Sequence, residues 1–201
     1  ITNLSTGTYA ELLEERRRVL RDALGPVLHS STDFVCEIGC GHGHFLTAFA
    51  TAHPDEICVG VDLVGERIER ACRKRNRAGL TNLHFLRADA RLFLESLPTG
   101  ARISTLFILF PDPWPKLRHH KHRILQPDFL DAIATRATAG CRLHFRTDFI
   151  PYFDEARAII RDHPRWLLVD APWPFEFATV FQQRARSFAS FSATLRAPTI
   201  S

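Results

Sequence analysis

An acidic residue followed by a glycine-rich segment, EIGCGHG, occupies residues 37–43. Glycines at such positions permit a tight turn and let the backbone approach a ligand closely. The spacing is G-x-G-x-G, whereas the G-x-G-x-x-G of dinucleotide-binding proteins would need a third glycine at His44. Glu37 would also repel a pyrophosphate, so both features disfavour a nicotinamide dehydrogenase. A turn that only links a strand to a helix remains the alternative.

Two more carboxylates lie at the end of a predicted strand or just after one, in positions that suit a nucleoside ligand. Asp62 lies about 20 residues beyond the glycines and can accept hydrogen bonds from both ribose hydroxyls of an adenosine. Asp89 could hold the adenine amino group. Glu37 would favour a ligand whose other end is cationic, as the ammonium and sulfonium groups of S-adenosylmethionine are. The predicted cofactor contacts in this part of the sequence are Glu37, Gly39, Gly41, Gly43, Asp62 and Asp89.

A metal site is a weaker interpretation of the same segment. Cys36, Cys40, His42 and His44 are close together in the sequence. Their spacing matches neither C-x-x-C nor H-x₃-H, and Cys36 would lie within a strand. We therefore expect no metal there and interpret the cysteines as small core residues.

A second motif, FPDPWPKLRHHKHR, occupies residues 110–123 directly after an apolar run. Its three prolines in five residues stiffen a loop, and Asp112 and Trp114 lie where a methyl group would be transferred. A carboxylate at the end of a hydrophobic strand is a poor structural choice unless it has a partner. A proline-rich surface turn is the alternative interpretation.

Strands and helices alternate along the sequence, which predicts an open, doubly wound α/β sheet. The predicted strands cover residues 33–38, 56–62, 83–87, 103–110, 141–146, 166–169 and 189–195. The predicted helices cover residues 9–24, 44–52, 66–78, 91–97, 127–139 and 152–162, and Gly140 is expected to end the fifth. Apolar and polar residues alternate over residues 189–196, which indicates a half-buried and antiparallel final strand.

The composition of the 201 residues, 45% apolar and 24% charged, is that of a globular domain. We expect one domain over residues 1–201, with an N-terminal helical segment at 1–30 and the sheet-containing core at 31–201. No apolar run approaches the roughly 20 residues that a membrane span needs. Five scattered cysteines and no secretory signal predict a reducing, cytoplasmic location without disulfides. The absence of methionine predicts residues before Ile1.

The second motif resembles the signature of tRNA (guanine-N7-)-methyltransferases, a family of class I S-adenosylmethionine-dependent enzymes. The likeness runs from about Phe34 to Phe181 and includes the glycine loop, residues 124–127, Thr147-Asp148 and residues 179–182. It implies a Rossmann-like sheet that is mostly parallel, with one antiparallel C-terminal strand. It also implies methyl transfer from S-adenosylmethionine to N7 of a guanosine in the variable loop of tRNA, which gives 7-methylguanosine and S-adenosylhomocysteine.

The resemblance further assigns site residues. Those expected to contact the guanosine are Lys116, Asp148, Thr179, Phe181 and Gln182. The resemblance also implies that Asp112 contacts S-adenosylmethionine or lines its pocket, and we expect Asp112 to be catalytic, with a positioning and electrostatic role. The chain departs from the family pattern at Gln182, where the family has Glu, at His120, where it has Asn, and at His122, where it has Arg.

The net charge of +4 suits an anionic partner such as tRNA. Arg118, Lys121 and Arg123 are the candidates for contacts with RNA phosphates. The basic run at residues 67–77 is a second candidate, although charge runs usually form solvated surfaces. Another purine or a small molecule as the acceptor, and a binding protein with a vestigial cofactor pocket, remain alternatives. The sequence does not separate a monomer from a homodimer.

Overall fold

A seven-stranded sheet runs through the computed structural model, which describes residues 8–28, 32–178, 182, 185 and 187–197. The strands are β1 (Asp33–Ile38), β2 (Cys58–Asp62), β3 (Leu83–Arg87), β4 (Arg102–Leu109), β5 (Ala137–Thr147), β6 (Trp166–Val169) and β7 (Ala189–Leu195). The helices are α1 (Tyr9–Leu24), α2 (His44–Ala52), α3 (Gly65–Ala78), α4 (Ala90–Ser96), α5 (Pro127–Thr135) and α6 (Ile150–Asp162), with a 3₁₀ helix at Leu117–His122.

The strand order is β3-β2-β1-β4-β5-β7-β6. β1 pairs in parallel with β2 and β4, and β2 with β3 and β4 with β5 do the same. β7 is antiparallel to both of its neighbours, β5 and β6. The prediction of a mostly parallel sheet with one antiparallel C-terminal strand is therefore confirmed.

Helices cover both faces of the sheet, as a doubly wound arrangement requires. One face packs with α2 and α3 through a cluster that includes Phe45, Phe49 and Phe107. The other face packs with α1, α4, α5 and α6 through a larger cluster that includes Phe93 and Phe129. No helix in the described part of the chain is both long enough and apolar enough to cross a bilayer.

The predicted end of the fifth helix was wrong. α5 ends at Thr135, and residues 137–140 belong to β5 instead of to the helix. The reason is a long-range pairing with the start of β4, because the Ile103 amide donates to the Arg136 carbonyl (2.8 Å) and Ile103 pairs with Ala137. Gly140, with φ of 77°, lies within the strand, so it does not end a helix. The second strand also begins at Cys58, two residues later than predicted.

The N-terminal helix is attached to the sheet-containing core. Thr8 and Glu11 form a reciprocal capping box at its first turn, which satisfies amides that the helix leaves without partners. Leu20 and Leu24 are buried in the larger apolar cluster. Arg17 also pairs with Glu95 of α4 at 2.7 Å, although an exposed pair of this kind contributes little. Burial of the leucines is therefore the main attachment.

We expect Leu24→Ala to destabilise the whole domain by roughly 2–5 kcal/mol, because the side chain is 1% exposed and its loss leaves a cavity. Leu12→Ala is the matched control on the same helix, since Leu12 is 54% exposed. Urea unfolding followed by tryptophan fluorescence would measure both changes. Equal midpoints for the two variants would contradict the attachment of α1 to the core.

Candidate active site

The glycine loop between β1 and α2 is open on one side and tightly packed on the other. Gly41 has a φ of 53°, and no heavy atom lies within 4 Å of the position that a Cβ would occupy. Gly43 has a φ of 68°, and its Cβ would lie 2.5 Å from the Phe85 ring. Gly39 is open in the same way as Gly41. The first two glycines therefore leave room for a ligand, whereas the third permits the close packing of α2.

Asp62, at the end of β2, holds the glycine loop to the start of α3. Its Oδ2 accepts a hydrogen bond from the Gly41 amide (3.0 Å), and its Oδ1 accepts one from the Val64 amide (2.8 Å). The Arg67 guanidinium lies 3.7 Å away. The side chain is 6% exposed, so this carboxylate is fixed in place before any ligand binds. Each oxygen retains a lone pair that can accept a hydroxyl proton.

A cavity of about 350 Å³ opens at the carboxyl ends of β1, β2 and β4. This volume lies at the lower end of the range for small-molecule sites. Among the residues that line it are Gly39, Asp62, Asp89, Asp112 and Trp114. A larger cavity, about 770 Å³, lies between α6 and the β6–β7 pair, and none of the predicted site residues lines it. The smaller cavity is the candidate site because the predicted carboxylates converge there.

Glu37 lies behind the glycine loop and is 3% exposed. Within the described residues its Oε2 has no hydrogen-bond partner. Burial raises the pKa of Glu37 to about 8, the Leu46 amide opposes that shift, and the charge of Asp62 adds to it. An orphaned buried carboxylate oxygen is costly. Such an oxygen, together with the open glycines and Asp62, fits a ligand with an ammonium group and a ribose.

Glu37 itself does not line the cavity, although its neighbours Ile38 and Gly39 do. A cationic ligand group would therefore meet Glu37 across the glycine loop or through water. Asp89 does line the cavity and also caps α4, since its Oδ1 accepts from the amides of Arg91 (2.9 Å) and Leu92 (3.2 Å). The cap fixes the orientation of the Asp89 carboxylate.

The loop around Asp112 has a strained backbone. Phe110 and Trp114, which flank Asp112, have φ values of 49° and 42°, a region that residues other than glycine rarely adopt. Hydrogen bonds hold the loop to the rest of the chain. The Phe110 amide donates to the Arg146 carbonyl (2.7 Å), and the Arg123 Nε donates to the Pro113 carbonyl (2.9 Å). Asp112 is exposed at the rim of the cavity.

Arg123 is an anchor of this loop. The residue is 2% exposed, its guanidinium pairs with Glu155, and the same group lies 4.7 Å from the centre of the Tyr152 ring. This placement contradicts the prediction that Arg123 contacts RNA phosphate. The other predicted cations of the motif, Lys116, Arg118 and Lys121, are exposed.

Two of the residues predicted to contact the acceptor, Asp148 and Gln182, lie near the end of β5. Asp148 is exposed and directly follows β5. The Gln182 Oε1 accepts a hydrogen bond from the Arg146 guanidinium (3.1 Å). Thr179 and Phe181 lie outside the described residues. The structure therefore brings Asp112 and Asp148 to one edge and ties Gln182 to β5.

Sequence analysis missed Arg146, which is buried near the end of β5. Its guanidinium binds Glu176 through two hydrogen bonds (2.8 and 3.0 Å) and donates to Ser190 (2.8 Å). It lies between two aromatic rings, 4.0 Å from Trp173 and 4.6 Å from Phe188.

These contacts lower the pKa of Glu176, chiefly through the hydrogen bonds from Arg146. Arg146 also holds the Gln182 side chain near the end of β5. The sequence offers no signal that singles out Arg146, because Arg142 lies in the same strand and is exposed.

Residues 31–185 match a family model described as "Putative methyltransferase". The tRNA (guanine-N(7)-)-methyltransferase of Nitrosomonas eutropha is 34% identical over 154 residues, which are 75% of this chain and 69% of that protein. The protein of the same name from Halorhodospira halophila is 42% identical over 119 residues, 59% of this chain and 51% of that one. The chain belongs to this methyltransferase family. Its relatives are longer, since the chain spans between 51% and 69% of these two.

Solved methyltransferase structures share the fold. TrmN from Thermus thermophilus matches with a TM-score of 0.59 and 18% identity, over 90% of this chain and 48% of that one. Precorrin-6y C5,15-methyltransferase from Geobacter metallireducens matches with a TM-score of 0.56 and 14% identity, over 98% and 93% of the two chains. At such identities the likeness concerns the fold alone, and it confirms the predicted methyltransferase architecture.

We expect Glu37→Gln to stabilise the unliganded methyltransferase at pH 8 and to weaken its affinity for S-adenosylhomocysteine. The pKa of Glu37 is about 8 in the folded chain, against about 4.3 in an unfolded one. The Glu37 carboxyl therefore binds its proton more tightly in the folded chain than in the unfolded one. The stability that this proton contributes is fully present at low pH and is lost as the pH rises from about 4 to 8. The gain from the substitution should reach a few kcal/mol at pH 8.

Thermal unfolding of both chains at pH 5 and pH 8 would measure the effect. The melting temperatures should differ more at pH 8 than at pH 5. A difference that does not change with pH would show that the charge of Glu37 is not its cause. Titration calorimetry with S-adenosylhomocysteine would measure the change in affinity, and unchanged affinity would remove Glu37 from the cofactor site.

Proposed function

We propose that this chain transfers the methyl group of S-adenosylmethionine to N7 of a guanosine in the variable loop of tRNA. The observation that carries the proposal is the convergence of Asp62, Asp89 and Asp112 on one cavity beside the glycine loop. The names of the relatives support the choice of acceptor. Five cysteines without a disulfide suit a reducing, cytoplasmic location.

Two parts of the cavity wall suit the two ends of the cofactor. Asp62 would accept hydrogen bonds from the ribose hydroxyls, and Asp89 would accept one from the adenine amino group. Gly39 and Gly41 would let the backbone lie against the methionine portion, with the Glu37 carboxylate behind them. When bound, S-adenosylmethionine supplies an electrophilic methyl group on a sulfonium.

The reaction needs no general base, because guanine N7 carries a lone pair in the plane of the ring. It needs instead a nearly linear approach of N7 to the methyl group, which is catalysis by proximity and orientation. The stiff loop of residues 110–114 supplies that orientation, since hydrogen bonds from Phe110 and to Pro113 fix it on both sides of Asp112. The Asp112 carboxylate stabilises the positive charge that the purine gains.

The acceptor base must leave its stack before it can enter the cavity. N7 lies in the deep and narrow major groove of A-form RNA, which side chains do not enter readily, so the target must be in a loop or flipped out. Trp114, which is 36% exposed and lines the cavity, offers a ring on which such a base can stack. Asp148 would accept hydrogen bonds from the N1–H and N2 amino groups of the guanine. Lys116, which is exposed, would also contact the guanosine.

A second candidate function has one observation in its favour. Gln182, which stands where the family has Glu, is bound to Arg146 through its side-chain oxygen. The amide lacks the charge with which a glutamate would attract the guanine edge. A methyltransferase of the same fold that acts on another purine or on a small molecule is therefore the alternative.

The direct test is to incubate the protein with S-adenosylmethionine and unmodified tRNA, digest the RNA and analyse its nucleosides by mass spectrometry. We expect new 7-methylguanosine, and none when the target guanosine is replaced by adenosine. Another methylated nucleoside would favour the alternative acceptor. No methylation together with tight binding of S-adenosylhomocysteine would overturn the tRNA proposal and leave the cofactor site intact.

We expect Asp112→Asn to lower the turnover number by roughly 10- to 100-fold, because the neutral amide keeps the shape and loses the charge that stabilises the purine. The affinity for tRNA should change little. Asp55→Asn, at an exposed turn, is the matched control and should retain full activity. Single-turnover kinetics would separate methyl transfer from product release, and an unchanged rate in Asp112→Asn would exclude a catalytic role.

A further inference from the structure

The positive charge of the chain is concentrated on one helix. α3 contains six lysines and arginines and two glutamates, a net charge of +4, which equals the net charge of the whole sequence. The remaining residues are therefore neutral in sum. Such a helix forms either a solvated surface or a surface that binds an anionic partner. The arrangement of its side chains distinguishes these two alternatives.

Four of these cations line a cleft of about 480 Å³ beside the glycine loop. The residues that line the cleft are His42, His44, Arg70, Arg73, Lys74 and Arg77. The i, i+3, i+4, i+7 spacing of the four cations places them on one face of α3. Ile68 and Ala71 are buried and fix the helix against the sheet, so the cleft is part of a rigid element. No carboxylate is among the residues that line it.

The cations of the cleft are only weakly neutralised. Arg70 pairs with Glu66 at 2.6 Å and Arg73 with Glu69 at 4.0 Å, but those glutamates are 70% and 71% exposed. Exposed pairs at i, i+4 contribute little and are readily exchanged for a stronger anion. Within the described residues, no carboxylate oxygen lies within 4 Å of the Arg77 guanidinium. The two other arginines of α3 are directed elsewhere, Arg67 toward Asp62 and Arg75 toward Asn76.

Lys74 links the cleft to the glycine loop, because its Nζ donates a hydrogen bond to the His42 carbonyl (3.0 Å). His42 follows Gly41, whose amide binds Asp62. Burial and the neighbouring cations lower the pKa of both histidines, with Arg70 the main charge on His42 and Lys74 on His44. The cleft therefore combines a positive field with neutral ring N–H donors, a combination that favours a phosphate group.

We propose that this cleft binds a backbone phosphate of the substrate tRNA. The proposal rests on the proposed function, since that function makes RNA the partner. It adds a contact surface on the opposite side of the glycine loop from the Asp112 motif. A tRNA that places a base in the cavity is large enough to extend across the loop and onto α3. The two basic surfaces then hold the RNA on both sides of the cofactor.

The test compares Arg73→Gln/Arg77→Gln with a control that removes the same two charges elsewhere, Arg18→Gln/Arg161→Gln. All four arginines are exposed, and the control pair lies on α1 and α6. Fluorescence anisotropy with labelled tRNA at several KCl concentrations would give the affinity and its salt dependence. We expect the α3 variant to bind tRNA roughly 5- to 20-fold more weakly and its log–log salt slope to fall by about one to two.

The control variant should keep most of the affinity and the slope. S-adenosylhomocysteine affinity and melting temperature, measured on every chain, would show that the α3 variant remains folded with an intact cofactor site. Equal losses of tRNA affinity in both variants, or an α3 variant with unchanged affinity and salt slope, would overturn the proposal that the cleft binds phosphate. A wild-type chain that binds tRNA through α3 without forming 7-methylguanosine would overturn the proposed function alone. A wild-type chain that binds no tRNA would overturn both.

Discussion

Parallel hydrogen bonding of β1 to β2 on one side and to β4 on the other positions the glycine loop, Asp62 and the Asp112 loop. Within that ladder Glu37 lies opposite Gly60 and Phe107, and the three strands end at the same edge of the sheet. Charged residues at the carboxyl ends of these strands therefore lie close together at the solvent-exposed edge of the sheet. Glu37 is the exception, since its carboxyl group is buried, and either a proton or a cationic ligand can offset the free-energy cost of its charge.

Much of the fold was predictable because local pattern and tertiary environment agree. The apolar run of β4 matches the burial of Leu106, Phe107 and Ile108. In β7 the predicted alternation holds for the buried Ala193 and Leu195, but Ser192 is buried as well because its hydroxyl bonds to His144. The end of α5 was not predictable in this way. Residues 136–139 are compatible with helix or strand, and the choice depends on pairing with Ile103, which lies more than 30 residues earlier. Secondary structure at such a boundary is decided by a distant strand.

The site residues also fall into a group that the sequence could predict and a group that it could not. Asp62 ends β2 and Asp112 follows β4, so the topology of a parallel sheet was enough to predict that they lie near one another. Arg123 and Arg146 depend on side-chain burial instead. Arg123 belongs to a basic run and is enclosed by Glu155 and Tyr152, which come from another helix. Arg146 belongs to a buried strand and gains its partners from segments far along the chain. No local pattern distinguishes an enclosed arginine from an exposed one.

The strained backbone at Phe110 and Trp114 also bears on how fast and how often the acceptor can be used. Hydrogen bonds at Phe110 and Pro113 hold this loop in the folded chain. The conformational entropy of ordering the loop is therefore lost on folding and not again each time an acceptor binds. A loop that had to be ordered by each incoming base would subtract that entropy from every association. The loop is thus preorganised before the acceptor arrives. In the proposed reaction, the binding free energy of the RNA then remains available for extracting the base from its stack.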